Sequence, residues 1–114
     1  MVITSFMTKP HLTSQPHLFS NTANYGGVNT SSLHGPREVA VDAAGNVHVA
    51  DTSNHRVLVY RDPQNTDTVA DLVLGKQNFF TSKCNIDFVV YKVVSASTLC
   101  FPFGVAVDAA GNVY

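Results

Sequence analysis

Charge is the first thing this 114-residue chain has little of. Charged residues make up 13% of it, and the formal net charge is −1. The seven basic residues are scattered. A phosphate-binding surface needs Lys and Arg gathered on one face, so nucleic acid is disfavoured as a partner. Long apolar runs are also missing: none approaches the ~18 residues of a membrane span. The opening MVITSFMTKPHLTSQPHLF has no charged start followed by a clean apolar stretch, so it does not read as a signal peptide. The sequence assigns no compartment. A Gly-rich phosphate loop, a nucleophile elbow and an HExxH pair are absent, as is any sustained helical period. Nothing in it calls for a cofactor or names a catalytic residue.

What the chain has is a repeat. VAVDAAGNV runs from Val39 to Val47 and again from Val105 to Val113. With Gly45 over Gly111, Ser32-Leu33 falls on Thr98-Leu99 and Pro36 on Pro102. In a shifted register, Ser14 to Asn24 lies over Gly75 to Asn85. The unit is about 60 to 66 residues, longer than the roughly 40 to 45 of a usual propeller blade, with the excess in the connection.

Within the unit, Val39 to Val41 predicts a short first strand and Asp42 to Asn46 a tight turn, with Gly45 free to take positive φ. Val47 to Ala50 predicts a second strand and Asp51 to His55 a polar turn. Arg56 to Tyr60 predicts a third, with Val57 and Val59 facing away from Arg56, Leu58 and Tyr60. Asp62 to Asn65 breaks the pattern, and Val69 to Leu74 predicts a fourth strand closed by Gly75. The fold class is therefore all-β, an antiparallel four-stranded meander. Such a sheet cannot bury both faces alone. A radial array of similar sheets can, which is the β-propeller solution, here incomplete. The small residues of the first strand suit the crowded inner end of a blade.

The series Pro36, Val39-Ala40-Val41-Asp42, Gly45-Asn46-Val47, Val49-Ala50-Asp51, Asn54-His55-Arg56-Val57, Val59-Tyr60 resembles an NHL repeat, named for its Asn-His-Leu signature. Asn54-His55-Arg56 stands where that signature falls. The segment Gly75-Lys76-Gln77-Asn78-Phe79 resembles the GQPxF-like insert of bacterial NHL-repeat proteins, with departures at Lys76 and Gln77. The resemblance implies a propeller, commonly of six blades. It divides the chain into an unmatched start and connection (1–33), a complete repeat (34–75), a long inter-blade loop (76–101) and the first half of a second repeat (102–114). Met1 to His11 match nothing in the repeat. The chain is expected to be a piece of a longer propeller, with neighbouring blades missing; the alternative is a short protein whose copies assemble into one ring. Unpaired edges and an unburied blade face would leave the isolated chain prone to aggregate.

The resemblance implies an interaction scaffold that binds a protein, peptide or carbohydrate through its loop-bearing face. Two rivals follow from relatives of this type. One is a metal-dependent lyase or lactone hydrolase, whose site uses His and acidic side chains from several blades; the inner strands here offer only Val39 to Val41 and Val105 to Val107. The other is an RNA-binding propeller, opposed by the near-neutral charge.

Asn54, His55 and Arg56, beside Asp51, form the densest polar cluster and are the candidate binding residues. The competing reading is architectural: Asp51 and Asn54 cap the turn through local hydrogen bonds, and Arg56 pairs with a carboxylate at the blade edge. His48 stands where the second copy has Tyr114, and reads as a packed or edge residue. His11, His17 and His34 show no metal-site spacing. Asp42 and Asp108 begin equivalent turns in different blades and are not a catalytic pair. Phe79, Phe80, Phe88, Phe101 and Phe103 gather in the connection, either as a satellite core or as a partner surface.

Cys84 and Cys100 are the only cysteines. Their counterparts in the first copy, Ala23 and His34, are both non-cysteine, as a pair would show. They bracket Ile86 to Val94, which the first copy lacks. A bridge would close a loop of about 15 residues and contribute roughly 3 kcal/mol in the chain-entropy model. It would accord with an oxidising compartment and an exported parent. Two buried thiols are the alternative. No metal is expected, since no His lies close in sequence to complete a tetrahedral set.

Overall fold

The computed structural model describes residues 22–84 and 97–114. Expectations that fall on Met1 to His11, His17, Phe88 and Ile86 to Val94 lie outside the described residues. Four strands, β1 (Glu38–Val41), β2 (Val47–Asp51), β3 (Arg56–Tyr60) and β4 (Leu72–Leu74), form one antiparallel sheet in the order of the chain. The sheet does not close on itself. This is the four-stranded blade that the alternation of small, β-branched and polar residues implies.

The register puts Val47 opposite Tyr60, Val49 opposite Leu58, and Asp51 opposite Arg56. These six side chains share one face. Val47, Val49, Leu58 and Tyr60 build a core with Leu33 and Ala70, and Phe79 packs against it. On the other face Ala50 and Val57 meet Val105, with Ala40, Leu74, Leu99 and Val113 around them. The second repeat hairpin thus lies against the back of the blade, so both faces of β2 and β3 are buried along their whole length. β1 is an edge strand, and Val41 is 62% exposed.

One local expectation needs correction. The fourth strand begins at Leu72, not Val69. The preceding residues have other partners. Val69 N–H donates to Asp67 Oδ1 in an Asx turn, and Ala70 N–H donates to Thr30 O at 3.0 Å. Asp71 instead ties the start of β4 to the end of β3, its N–H reaching Val59 O and its Oδ2 accepting from Arg61 N–H. The polar turn between β2 and β3 contains a single 3-10 turn, Thr52–Asn54, closed by His55 in the left-handed region (φ 55°, ψ 43°).

The connection leaves β4 through Gly75. Leu99 lies so close over Gly75 that an added Cβ would overlap its side chain, and Leu99 N–H donates to Gly75 O. Cys84 and Cys100 are joined by a disulfide, which clips the connection together beside this contact. Among the described residues no helix is long and apolar enough to cross a membrane.

Candidate functional site

The polar cluster sits where β2 turns into β3. Asp51 and Arg56 end the core face of the blade, and a charge buried there must be paired. Arg56 Nε donates to Asp51 Oδ2 at 2.7 Å, with both side chains fully enclosed. The guanidinium then uses its remaining donors on backbone carbonyls: Nη1 on Phe79 O (2.7 Å), Nη2 on Asn29 O (3.1 Å) and Ser32 O (2.8 Å). A rigid planar fork suits this task, since each donor direction is set once the first bond forms.

Asp51 Oδ1 accepts from His34 N–H (2.7 Å), and Oδ2 also accepts from Asn54 Nδ2 (2.8 Å). Asn54 exchanges amide hydrogen bonds with Asn24. The architectural reading is corrected in its details. Asp51 makes no side-chain capping bond to the turn that follows it. Its carboxylate bonds the Asn54 side chain within the turn and the His34 N–H far back in the chain, and Arg56 pairs with it across the hairpin, inside the blade, not at its edge.

His55 faces the connection. Its Nδ1 accepts from Phe101 N–H at 2.9 Å, and the two rings meet edge to face, centroids 4.2 Å apart. Burial lowers its pKa, and the Lys76 charge adds to that, both favouring the neutral imidazole. Lys76 is itself pushed down to about 8, by burial first and then by Arg56. Its Nζ donates to Gly75 O and Leu99 O. Thr52 Oγ1 donates to Pro102 O at 2.7 Å. Three side chains of one turn, those of Thr52, His55 and Arg56, therefore grip the backbone at Pro102, Phe101 and Phe79.

The aromatic residues divide. Phe79 packs on the core, whereas Phe80, Phe101 and Phe103 are 69%, 52% and 59% exposed. The Arg37 guanidinium lies 5.1 Å from the Phe103 ring centre, a cation–π contact. His48 is buried in β2, its Nε2 3.6 Å from Asp42 Oδ2 and beyond hydrogen-bonding distance. His34 is exposed.

The premise that no histidine accompanies the cysteines fails on geometry. His55 does come close to the cysteines: one donor atom each from His55, Cys84 and Cys100 lie within 4.8 Å of one another. Sequence separation concealed this, because the turn before β3 and the connection meet only in the folded blade. The disulfide engages both sulfurs and so opposes metal chemistry in this state.

The NHL-repeat family model matches residues 33–60. The matched span runs from the loop before β1 to the end of β3. These residues match the NHL-repeat motif, and they lie in a single four-stranded antiparallel sheet consistent with a partial propeller. No curated protein matches the chain.

Proposed function

We propose that this blade is a non-catalytic interaction module that binds a protein or peptide segment through the aromatic rim beside the β2–β3 turn. The observation that carries this reading is the exposure of Phe80, Phe101 and Phe103 on backbone tied to that turn. Exposed aromatics on a fixed frame present large contact area with little ordering entropy to lose. Asn54, His55 and Arg56 act as positioning residues in this reading, holding the rim without touching the ligand. Their burial supports that role. So does the loss of two basic residues, Arg56 and Lys76, to the interior, which leaves less positive charge for RNA. The organisation into a blade (34–75), a connection (76–101) and the start of a second blade (102–114) belongs to the same proposal.

Peptide and glycan arrays probed with the full chain and with Phe80→Ser/Phe103→Ser test it. Peptides held by the wild type should lose at least ~10-fold in affinity with the double variant, as removal of hot-spot aromatics does. Unchanged peptide binding, or binding to glycans alone, would overturn the reading.

A further inference from the structure

His55, Cys84 and Cys100 come from the turn before β3 and from the two flanks of the connection, yet their donor atoms are mutually within 4.8 Å. We propose that reduction of the Cys84–Cys100 bond turns these three side chains into a site for one thiophilic divalent cation, with zinc the natural occupant. Tetrahedral zinc with two sulfur ligands at ~2.3 Å and one nitrogen at ~2.0 Å needs donor atoms roughly 3.5–3.8 Å apart. The imidazole therefore has at most ~1.3 Å to travel, while the two sulfurs separate once their bond is gone.

The imidazole is already held. His55 N–H donates to Thr52 O, closing the 3-10 turn, and its ring is buried against Phe101. Because Nδ1 accepts from Phe101 N–H, the ring proton sits on Nε2, and Nδ1 carries the lone pair. That lone pair faces the backbone next to Cys100. The cation would take it in place of the Phe101 amide, exchanging one hydrogen bond for a coordinate bond. Three protein donors leave a fourth position for water.

The chemistry balances. A dithiol reductant delivers two electrons and two protons to the disulfide, giving two thiols and its own disulfide. Cation binding then releases the two thiol protons to solvent, since the thiolate is the ligand. Disulfide sulfurs are poor donors, so the redox state gates the site. Soft thiolates select zinc over hard cations such as magnesium.

The test uses the full chain and Co2+ as a visible substitute for zinc. One sample is left oxidised, and one is reduced with a phosphine, which becomes its oxide and does not compete for the metal. The reduced chain should take up one Co2+ per monomer by native mass spectrometry. It should also show the thiolate-to-cobalt charge-transfer band and the visible bands of tetrahedral cobalt, and the oxidised chain should show neither. His55→Asn keeps a residue that tolerates the left-handed backbone and removes the imidazole. It should weaken binding by more than the ~10–100-fold typical of losing an outer-shell partner, and alter the visible bands. Cys100→Ser should abolish uptake. No stoichiometric uptake by the reduced chain would overturn the proposal. So would equal uptake by the oxidised chain, a metal shared between two chains, or His55→Asn with unchanged affinity and spectrum.

Discussion

The two copies of VAVDAAGNV make the same turn and different sheets. In the first, Asp42 Oδ1 accepts from the Ala44 and Asn46 amides and Oδ2 from the Asn46 side chain. In the second, Asp108 holds Ala110 and Asn112 in the same way. Gly45 and Gly111 take φ of 86° and 85°. Beyond the turn the copies diverge. The first continues into four paired positions between β1 and β2. The second makes the two nearest the turn, Val107 opposite Val113 and the Ala106 and Tyr114 backbones bonded to each other. Their neighbours also differ. β2 is sandwiched between β1 and β3 and is buried throughout, whereas Tyr114 is 75% exposed. Nine residues are enough to encode a turn.

The comparison can be broken most severely at Arg56. Arg56→Met leaves Asp51 buried without its charge partner and frees three carbonyls, at a cost of ~3–5 kcal/mol. Denaturant unfolding followed by hydrogen exchange should show β2 and β3 reduced to the low protection of the second hairpin. The disulfide supplies the opposite lever. With a sequence separation of 16 between its cysteines, the Cys84→Ser/Cys100→Ser variant should lose about 3 kcal/mol in the loop-closure estimate. The loss should appear first at residues 99–114, because the blade's own ladder does not depend on the clip. At the turns the two copies bear the same local cost. Gly45→Ala and Gly111→Ala force a Cβ into the left-handed region at roughly 1–2 kcal/mol each. The first should be absorbed by the ladder, while the second should erase the amide pairing of Ala106 with Tyr114 in NMR spectra.

The smallest effect is one of pH. The Asn46 and Asn112 side-chain amides, then their backbone N–H groups, hold Asp42 and Asp108 below the ordinary value of 3.8. A carboxylate whose folded pKa is depressed stabilises the fold fully above its unfolded pKa, and that contribution is lost as pH falls through the lower folded one. Carboxyl NMR titration should therefore give both residues midpoints below 3.8. Midpoints at the unperturbed value in either copy would show that its turn is not formed.

The first three strands were legible because alternation and the repeated turn are local signals, and the register follows from them. Val49 opposite Leu58 requires Asp51 opposite Arg56. That deduction was available from the hairpin alone and would have found the buried ion pair. The reading that placed Arg56 at the blade edge did not use this register. The early part of the expected fourth strand was not legible, because its competitor is a hydrogen bond from Ala70 to Thr30, far away in the chain. The approach of His55 to the two cysteines was hidden for the same reason. Phe79 could not be told from Phe80 by composition. What separates them is that the Phe79 carbonyl is fixed by Arg56 and its ring joins the core, while the Phe80 ring points to solvent.

Residue-resolved hydrogen exchange on the disulfide-intact chain tests the central claim most directly, namely that burial between flanking strands protects β2 and β3 while the repeated turn is the same in both copies. The amides of β2 and β3 should exchange slower than those of Ala106 and Tyr114 by ~10-fold or more, with Gly45 and Gly111 similar to each other. Equal protection of the two hairpins would contradict the account.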